Sequence, residues 1–152
     1  MAIRNIVKTG DPILRKKSKP VEKFDNRLIQ LLDDMKQTLE KVEGLGLAAV
    51  QVGVLKRVFI VIYDDVLYEV INPKILHSEG EVEDNEGCLS VVGFRGIVPR
   101  AEKIELEYYD RHGCKQVLSA DGYFARVFLH EYDHLDGILF SDKMTKKLID
   151  KD

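Results

Sequence analysis

The sequence predicts an α+β fold: mostly antiparallel β-sheets around a buried helix, with a second, amphipathic helix nearer the N-terminus. Three observations carry this expectation. Leu28, Leu31, Leu32, Met35, Leu39 and Val42 recur at helical spacing between Asp25 and Val42. From Lys103 to Tyr108, Ile104, Leu106 and Tyr108 alternate with Lys103, Glu105 and Glu107, the period of a strand with one wet face. Between Asp121 and Leu135 the residues Tyr123, Phe124, Ala125, Val127, Phe128 and Leu129 leave a helix almost no polar side, so it belongs in the core.

The elements follow in order. Pro12 and Pro20 argue against helix in the first 20 residues, which read as an extended arm ending in a turn. Asp25 is suited to cap the first helix and Gly44 to stop it. Arg57–Ile62 (RVFIVI) is a β-branched and aromatic run typical of a buried strand. Leu67–Ile71 reads as its partner, ended by Asn72-Pro73. Asp110–Gly113 is turn material after the alternating strand, and Lys115–Leu118 returns as the next strand of a hairpin. Asp121 or Ser119 can cap the buried helix, and Gly137 sits just past its end. No repeat or linker interrupts residues 1–152, so the reading is one domain with a short polar tail from about residue 145.

Composition narrows the function. At 45% hydrophobic and 32% charged, the chain is neither disordered nor collagen-like nor a coiled coil. A net charge of -3 lacks the basic excess of a dedicated DNA binder. No run reaches the ~18 apolar residues of a membrane span, and the N-terminus lacks the apolar stretch of a secretory signal. The expectation is a soluble, cytoplasmic protein. Two cysteines in a reducing compartment form no disulfide framework, so Cys88 and Cys114 are each inert packing or chemistry.

The chemistry concentrates in His130-Glu131-Tyr132-Asp133-His134. On a helix, His130 and His134 lie one turn apart on one face, where both imidazoles can reach one metal ion. Glu131 sits beside them, able to hold a water and take its proton without being a ligand. The usual third ligands of such helices are missing. Six residues after the second histidine stands Phe140, and no Glu follows Glu131. An upstream thiolate or carboxylate must serve, and Cys88, in Glu86-Gly87-Cys88-Leu89-Ser90, is the attractive candidate. Alone, a free cysteine is more often a small buried hydrophobe; Cys114 is read that way, as structural. The third segment, Gly44-Leu45-Gly46-Leu47-Ala48-Ala49-Val50-Gln51, is either a chain lining a ligand groove or a helix cap followed by tight packing. Gln51 could donate to an oxyanion or bond to backbone.

Together GLGLAAVQ (44–51), EGCLS (86–90) and HEYDHLDG (130–137), in that order, resemble the three signature motifs of the peptide deformylase family. GDPILR and RGIVPRAEKI are similar to family sequence as well, and the resemblance spans residues 3–144. It implies an α+β hydrolase that removes the N-formyl group from formyl-methionine of nascent polypeptides and releases formate. The implied metal ligands are Cys88, His130 and His134, with water in the fourth position as nucleophile. Glu131 would be general base and then general acid, while Gln51 and the Leu89 N–H would stabilise the oxyanion. The resemblance also implies substrate contacts at Gly44, Gly46 and Gly87, and a methionine pocket lined by Leu45, Glu86, Tyr123, Arg126 and Val127. Iron(II) is the metal it favours in the cell, with zinc, nickel or cobalt as alternatives. Its partners would be nascent formyl-methionyl peptides, with transient ribosome contact and no DNA or membrane.

Departures from the family pattern are Leu129, where Gln is common, and Val92, where Pro is common. Asp133 is expected to pair with Arg100 or Arg126 behind the site. Two other functions remain open from the residues: a metallopeptidase with an unusual cysteine ligand, and a closed structural or sensor site. The latter needs a fourth protein ligand, for which His77 and His112 are the spare histidines.

Overall fold

The computed structural model describes residues 2–149. Helix α1 spans Asn26–Val42, strands β1 to β7 span Gly46–Ala48, Val58–Tyr63, Val66–Glu79, Val82–Cys88, Val91–Arg100, Lys103–Tyr109 and Lys115–Asp121, and helix α2 spans Gly122–His134. A short helix α3, Phe140–Lys143, and strand β8, Lys146–Ile149, complete the described chain. Five strands form one antiparallel sheet in the order β1-β2-β3-β6-β7, and three form a second in the order β4-β5-β8.

The large sheet lies between the two long helices. Leu28, Leu32, Met35 and Leu39 of α1 bury against Val58, Ile60 and Ile71, while Ala125, Val127 and Phe128 of α2 bury against Phe59, Val61 and Val70. Alternate residues of β2 therefore face different helices, which is why this strand is apolar on both sides rather than alternating. Strand β6 keeps one wet face, with Ile104, Leu106 and Tyr108 turned toward α2. A third, smaller cluster joins Val91 and Val98 of the second sheet to Leu139 and Phe140.

The ends of the elements hold the differences. The Asp25 side chain accepts the Leu28 N–H at 3.1 Å, as an N-cap should. At the other end the left-handed position is taken by Glu43 (φ 54), one residue before Gly44. Asp121 holds the N-cap position of α2, but its side chain makes no capping bond. Gly137 follows α2 with φ 72, and a Cβ there would lie 2.4 Å from the Arg15 carbonyl oxygen, so only glycine lets the N-terminal arm cross. The arm itself is extended apart from one 3-10 turn at Pro12–Arg15.

Two expectations need correcting. Strand β3 does not end at Asn72-Pro73 but continues to Glu79 through an irregularity between Ile71 and Lys74. There Asn72 adopts φ 51, and its side chain bonds both the N–H and the carbonyl of Val21, at 2.8 and 2.9 Å. Pro73 falls in this bulge, where the ladder asks for no N–H. No strand is expected over β4 or β5; β4 is acidic, and its first three residues, Val82 to Asp84, are exposed. The polar tail expected from residue 145 is instead an edge strand over 146–149, with Phe94 opposite Ile149 and Ile97 opposite Lys146. Backbone pairing to a free strand edge does not depend on side-chain polarity, and lysines suit an exposed edge. Residues 150–152 of that tail lie outside the described residues.

One ion pair ties the arm to α1. Buried Asp34 accepts the Ala2 N–H at 2.7 Å, Arg4 Nε at 2.9 Å and Gln30 Nε2 at 2.7 Å. Burial pushes its carboxyl up, but the bonds from Ala2, Arg4 and Gln30 outweigh this and hold it below 3.8. A depressed carboxyl stabilises the fold above its unfolded value and ceases to do so as pH falls through the folded one. Asp34→Asn is thus expected to cost about 2 kcal/mol at pH 7. In urea unfolding at several pH values, that deficit should shrink below pH 3.8.

Candidate metal centre

The last two turns of α2 present His130 and His134 with ring centroids 5.1 Å apart. The tight connection between β4 and β5, where Cys88 pairs with Val91, brings the thiol to the same place, 3.4 Å from His134 Nε2. Cys88, His130 and His134 each offer one ligand atom, all within 4.8 Å of one another. Among the described residues no other three histidine, cysteine or carboxylate side chains gather in this way. One thiolate and two imidazoles suit a first-row divalent metal, and three protein donors match the open form of such sites rather than the closed form. His77 is exposed beside Glu79, and His112 is exposed in the β6–β7 turn, so neither supplies a fourth donor.

Behind the histidines lies a charged hub. Glu86 is buried, and its Oε1 bonds His130 Nδ1 at 2.9 Å. Arg100 grips both of its oxygens, at 2.8 and 2.9 Å, and Arg126 Nη1 reaches Oε2 at 2.6 Å. Arg100 also donates to Asp133 at 2.6 Å, and Lys143 lies 2.9 Å from the same carboxylate. Burial pushes Glu86 up, yet Arg100 and His130 hold it well below the usual carboxylate range. With Nδ1 engaged, His130 has Nε2 free for the centre; a carboxylate in this position fixes the ring and raises its basicity. Burial, then the positive charge of His130 and Arg100, keeps His134 well below its ordinary value, as a neutral imidazole.

Glu131 is buried on the opposite side of His130, with Oε2 3.9 Å from His130 Nε2 and Oε1 without a partner. Burial pushes its carboxyl up to about 7; nearby His130 and Arg100 oppose the rise and Glu86 adds to it. Strand β1 passes directly over it. A Cβ on Gly46 would lie 2.6 Å from Glu131 Oε2, so this glycine makes room for the carboxylate. Gly46→Ala is expected to displace Glu131 by about 1 Å and lower kcat roughly a hundredfold. Steady-state kinetics on protein with unchanged metal content checks this.

Gln51 follows β1 on a 3-10 turn over Ala49–Val52 and is buried. Its Oε1 accepts the Ala48 N–H at 2.9 Å, and its Nε2 faces Ser90 Oγ at 3.1 Å and Cys88 Sγ at 3.6 Å. A cavity of about 300 Å³ opens in front. Gly44, Leu45, Gly46, Glu86, Gly87, Tyr123, Arg126 and Val127 all line it, with Gln51, Cys88, Leu89, His130 and Glu131. His134 lies behind this wall. Glu43 and Arg95 line it too, though no site role was expected of either; Arg95 is anchored to Asn85 Oδ1 at 2.9 Å.

Some residues stand differently from the expectation. Glu86 and Arg126 border the cavity, but their charged ends are turned into the hub, where Arg126 also bonds the Val98 and Val82 carbonyls. Asp133 pairs with Arg100, one of the two partners expected for it. Cys114 is exposed beside the β6–β7 turn, not packed. Val92 is 74% exposed, so its departure from the family pattern falls outside the cavity wall.

Known proteins share both sequence and fold. The family model described as polypeptide deformylase matches residues 3–148. The peptide deformylase of Caldicellulosiruptor bescii is 52% identical over 146 residues, covering 96% of this chain and 88% of the relative. That of Caldanaerobacter subterraneus is 45% identical, covering 97% and 93%. The crystal structure of peptide deformylase from Thermotoga maritima superposes with a TM-score of 0.93 at 38% identity, covering 95% of this chain and 99% of that one. With the family model and these relatives spanning nearly its whole length, the chain belongs to the polypeptide deformylase family of metal-dependent hydrolases.

Proposed function

We propose that this chain removes the N-formyl group from formyl-methionyl peptides, with Cys88, His130 and His134 holding one divalent metal ion, iron(II) in the cell. The observation that carries the reading is the buried Glu131 carboxylate, one oxygen of which has no partner, beside three converging ligand atoms at the floor of an open cleft. A divalent ion held by these three residues would supply Lewis acidity, easing loss of a proton from a water and polarising the formyl carbonyl. Glu131 takes a proton from the attacking water and later delivers it to the departing amine. The carbon–nitrogen bond breaks, formate leaves, and the peptide departs with a free amino group. Gln51 Nε2 and the Leu89 N–H donate to the oxygen on which negative charge develops, and removing one such donor costs roughly a hundredfold or more.

The walls set specificity. Leu45, Tyr123 and Val127 offer apolar surface to the methionine side chain. Gly44, Gly46 and Gly87 expose backbone along the same cleft, where an extended peptide adds like a strand. The thiolate at Cys88 needs a reducing compartment, which favours the cytoplasm, with nascent chains at the ribosome as substrate.

The test is formate release from a short N-formyl-methionyl peptide by protein prepared with iron(II) under reducing, oxygen-poor conditions. Release that a strong chelator abolishes and added metal restores is the expected result. A protein carrying one metal ion per chain that releases no formate would sink the reading.

A further inference from the structure

We propose that residues 7–9 of the N-terminal arm form a positioning strap for the oxyanion donors, acting on Gln51 through Ser90. The inference rests on the roles given above to Gln51 and Leu89. Three consecutive arm residues bond the backbone of the two donor segments. The Val7 N–H donates to the Gln51 carbonyl at 2.7 Å, and Lys8 Nζ to the Leu89 carbonyl at 3.0 Å. Thr9 donates twice to the Ser90 carbonyl, from its N–H at 2.8 Å and its hydroxyl at 2.7 Å. Lys8 and Thr9 are exposed, so core burial does not explain where the arm lies.

Ser90 is the link inward. It is fully buried, and its hydroxyl oxygen accepts one proton of the Gln51 amide. The Ala48 N–H on Oε1 settles which way round that amide stands. One of the two Nε2 protons is thereby assigned to Ser90, and the other is directed toward Cys88 Sγ, at the metal ligands. An oxyanion donor works by being aimed before the charge appears. Without Ser90 the amide can turn about its last torsion, and the aim is lost while the cleft remains.

The experiment is a double-mutant cycle in the metal-loaded enzyme. Ser90→Ala is expected to lower kcat roughly tenfold, with KM and metal content unchanged, because it misaims a donor rather than deleting it. In a Gln51→Ala background the same change should cost under about twofold, since the two residues act as one unit. Thr9→Val should lower kcat roughly threefold and Thr9→Ser should restore it, a pair that carries the test even where Ser90→Ala folds poorly. The side-chain amide signals of Gln51, observed by NMR in the metal-free protein, should exchange faster with solvent in Ser90→Ala. Multiplicative losses from Ser90 and Gln51, or loss of metal in Ser90→Ala, would overturn the strap. An unchanged kcat in Gln51→Ala would instead remove the oxyanion role of Gln51, and the strap with it.

Discussion

Glu131→Gln is expected to lower kcat by about a thousandfold or more, since a positioned acid–base group contributes roughly 10² to 10⁴ and this one serves twice. The substitution keeps shape and volume, so Gly46 still clears the side chain and the protein should fold. It also leaves Cys88, His130 and His134 intact, so elemental analysis should find metal content unchanged. That pairing of results separates a catalytic centre from a structural one, in which a neutral residue at position 131 changes little. The buried Oε1 without a partner is the physical motive: an ionised carboxylate isolated there is held at a cost, which protonation relieves. Retained activity in metal-replete Glu131→Gln would refute the assignment.

Glu86→Gln is the second large effect, and it should appear in two measurements. The substitution removes the one carboxylate that compensates Arg126 and shares Arg100 with Asp133, leaving positive charge in a buried place. Breaking a buried pair from one side costs about 3–5 kcal/mol, measurable by urea unfolding of the metal-free protein. The same change replaces a charged acceptor on His130 Nδ1 by a neutral amide. Metal affinity should fall roughly 10- to 100-fold in competition with a chromophoric chelator. Arg100 and His130 hold Glu86 far below an ordinary glutamate, so its contribution is complete above pH 4.5 and is lost only as pH falls through the lowered value. Parent and variant should therefore differ across the whole neutral range and converge only in strong acid. Equal stability at pH 7 would mean that Arg100 and Arg126 are satisfied without Glu86.

The expected helices were legible because a helix is written at short range. The spacing from Leu28 to Leu39 specifies which face of α1 is buried, and the i, i+4 pair His130 and His134 shares a face wherever the helix is placed. The run in β2 announced a strand covered on both sides, and the alternation in β6 one covered on a single side. By contrast, β4 is mostly polar and β8 half so, and they are strands because β5 offers each an edge. Asn72-Pro73 looked like a stop because proline cannot join a ladder. The stop became a bulge because Val21, 51 residues away, binds the Asn72 side chain.

The site divides along the same line. Residue type and local spacing by themselves singled out the histidine pair, the neighbouring glutamate, the thiol in EGCLS and the small-residue segment ending in Gln51. They could not tell that Glu86 turns away from the cavity to fix His130 and hold Arg100 and Arg126, or that Gly46 lies over Glu131. Nor could they connect Thr9 to Ser90 and Gln51. Periodicity encodes the direction of side chains along one element. Which charges meet in a core depends on how separate elements pack, and here it is the packing of α2 that brings His130 to Glu86, Asp133 to Arg100 and Glu131 under Gly46.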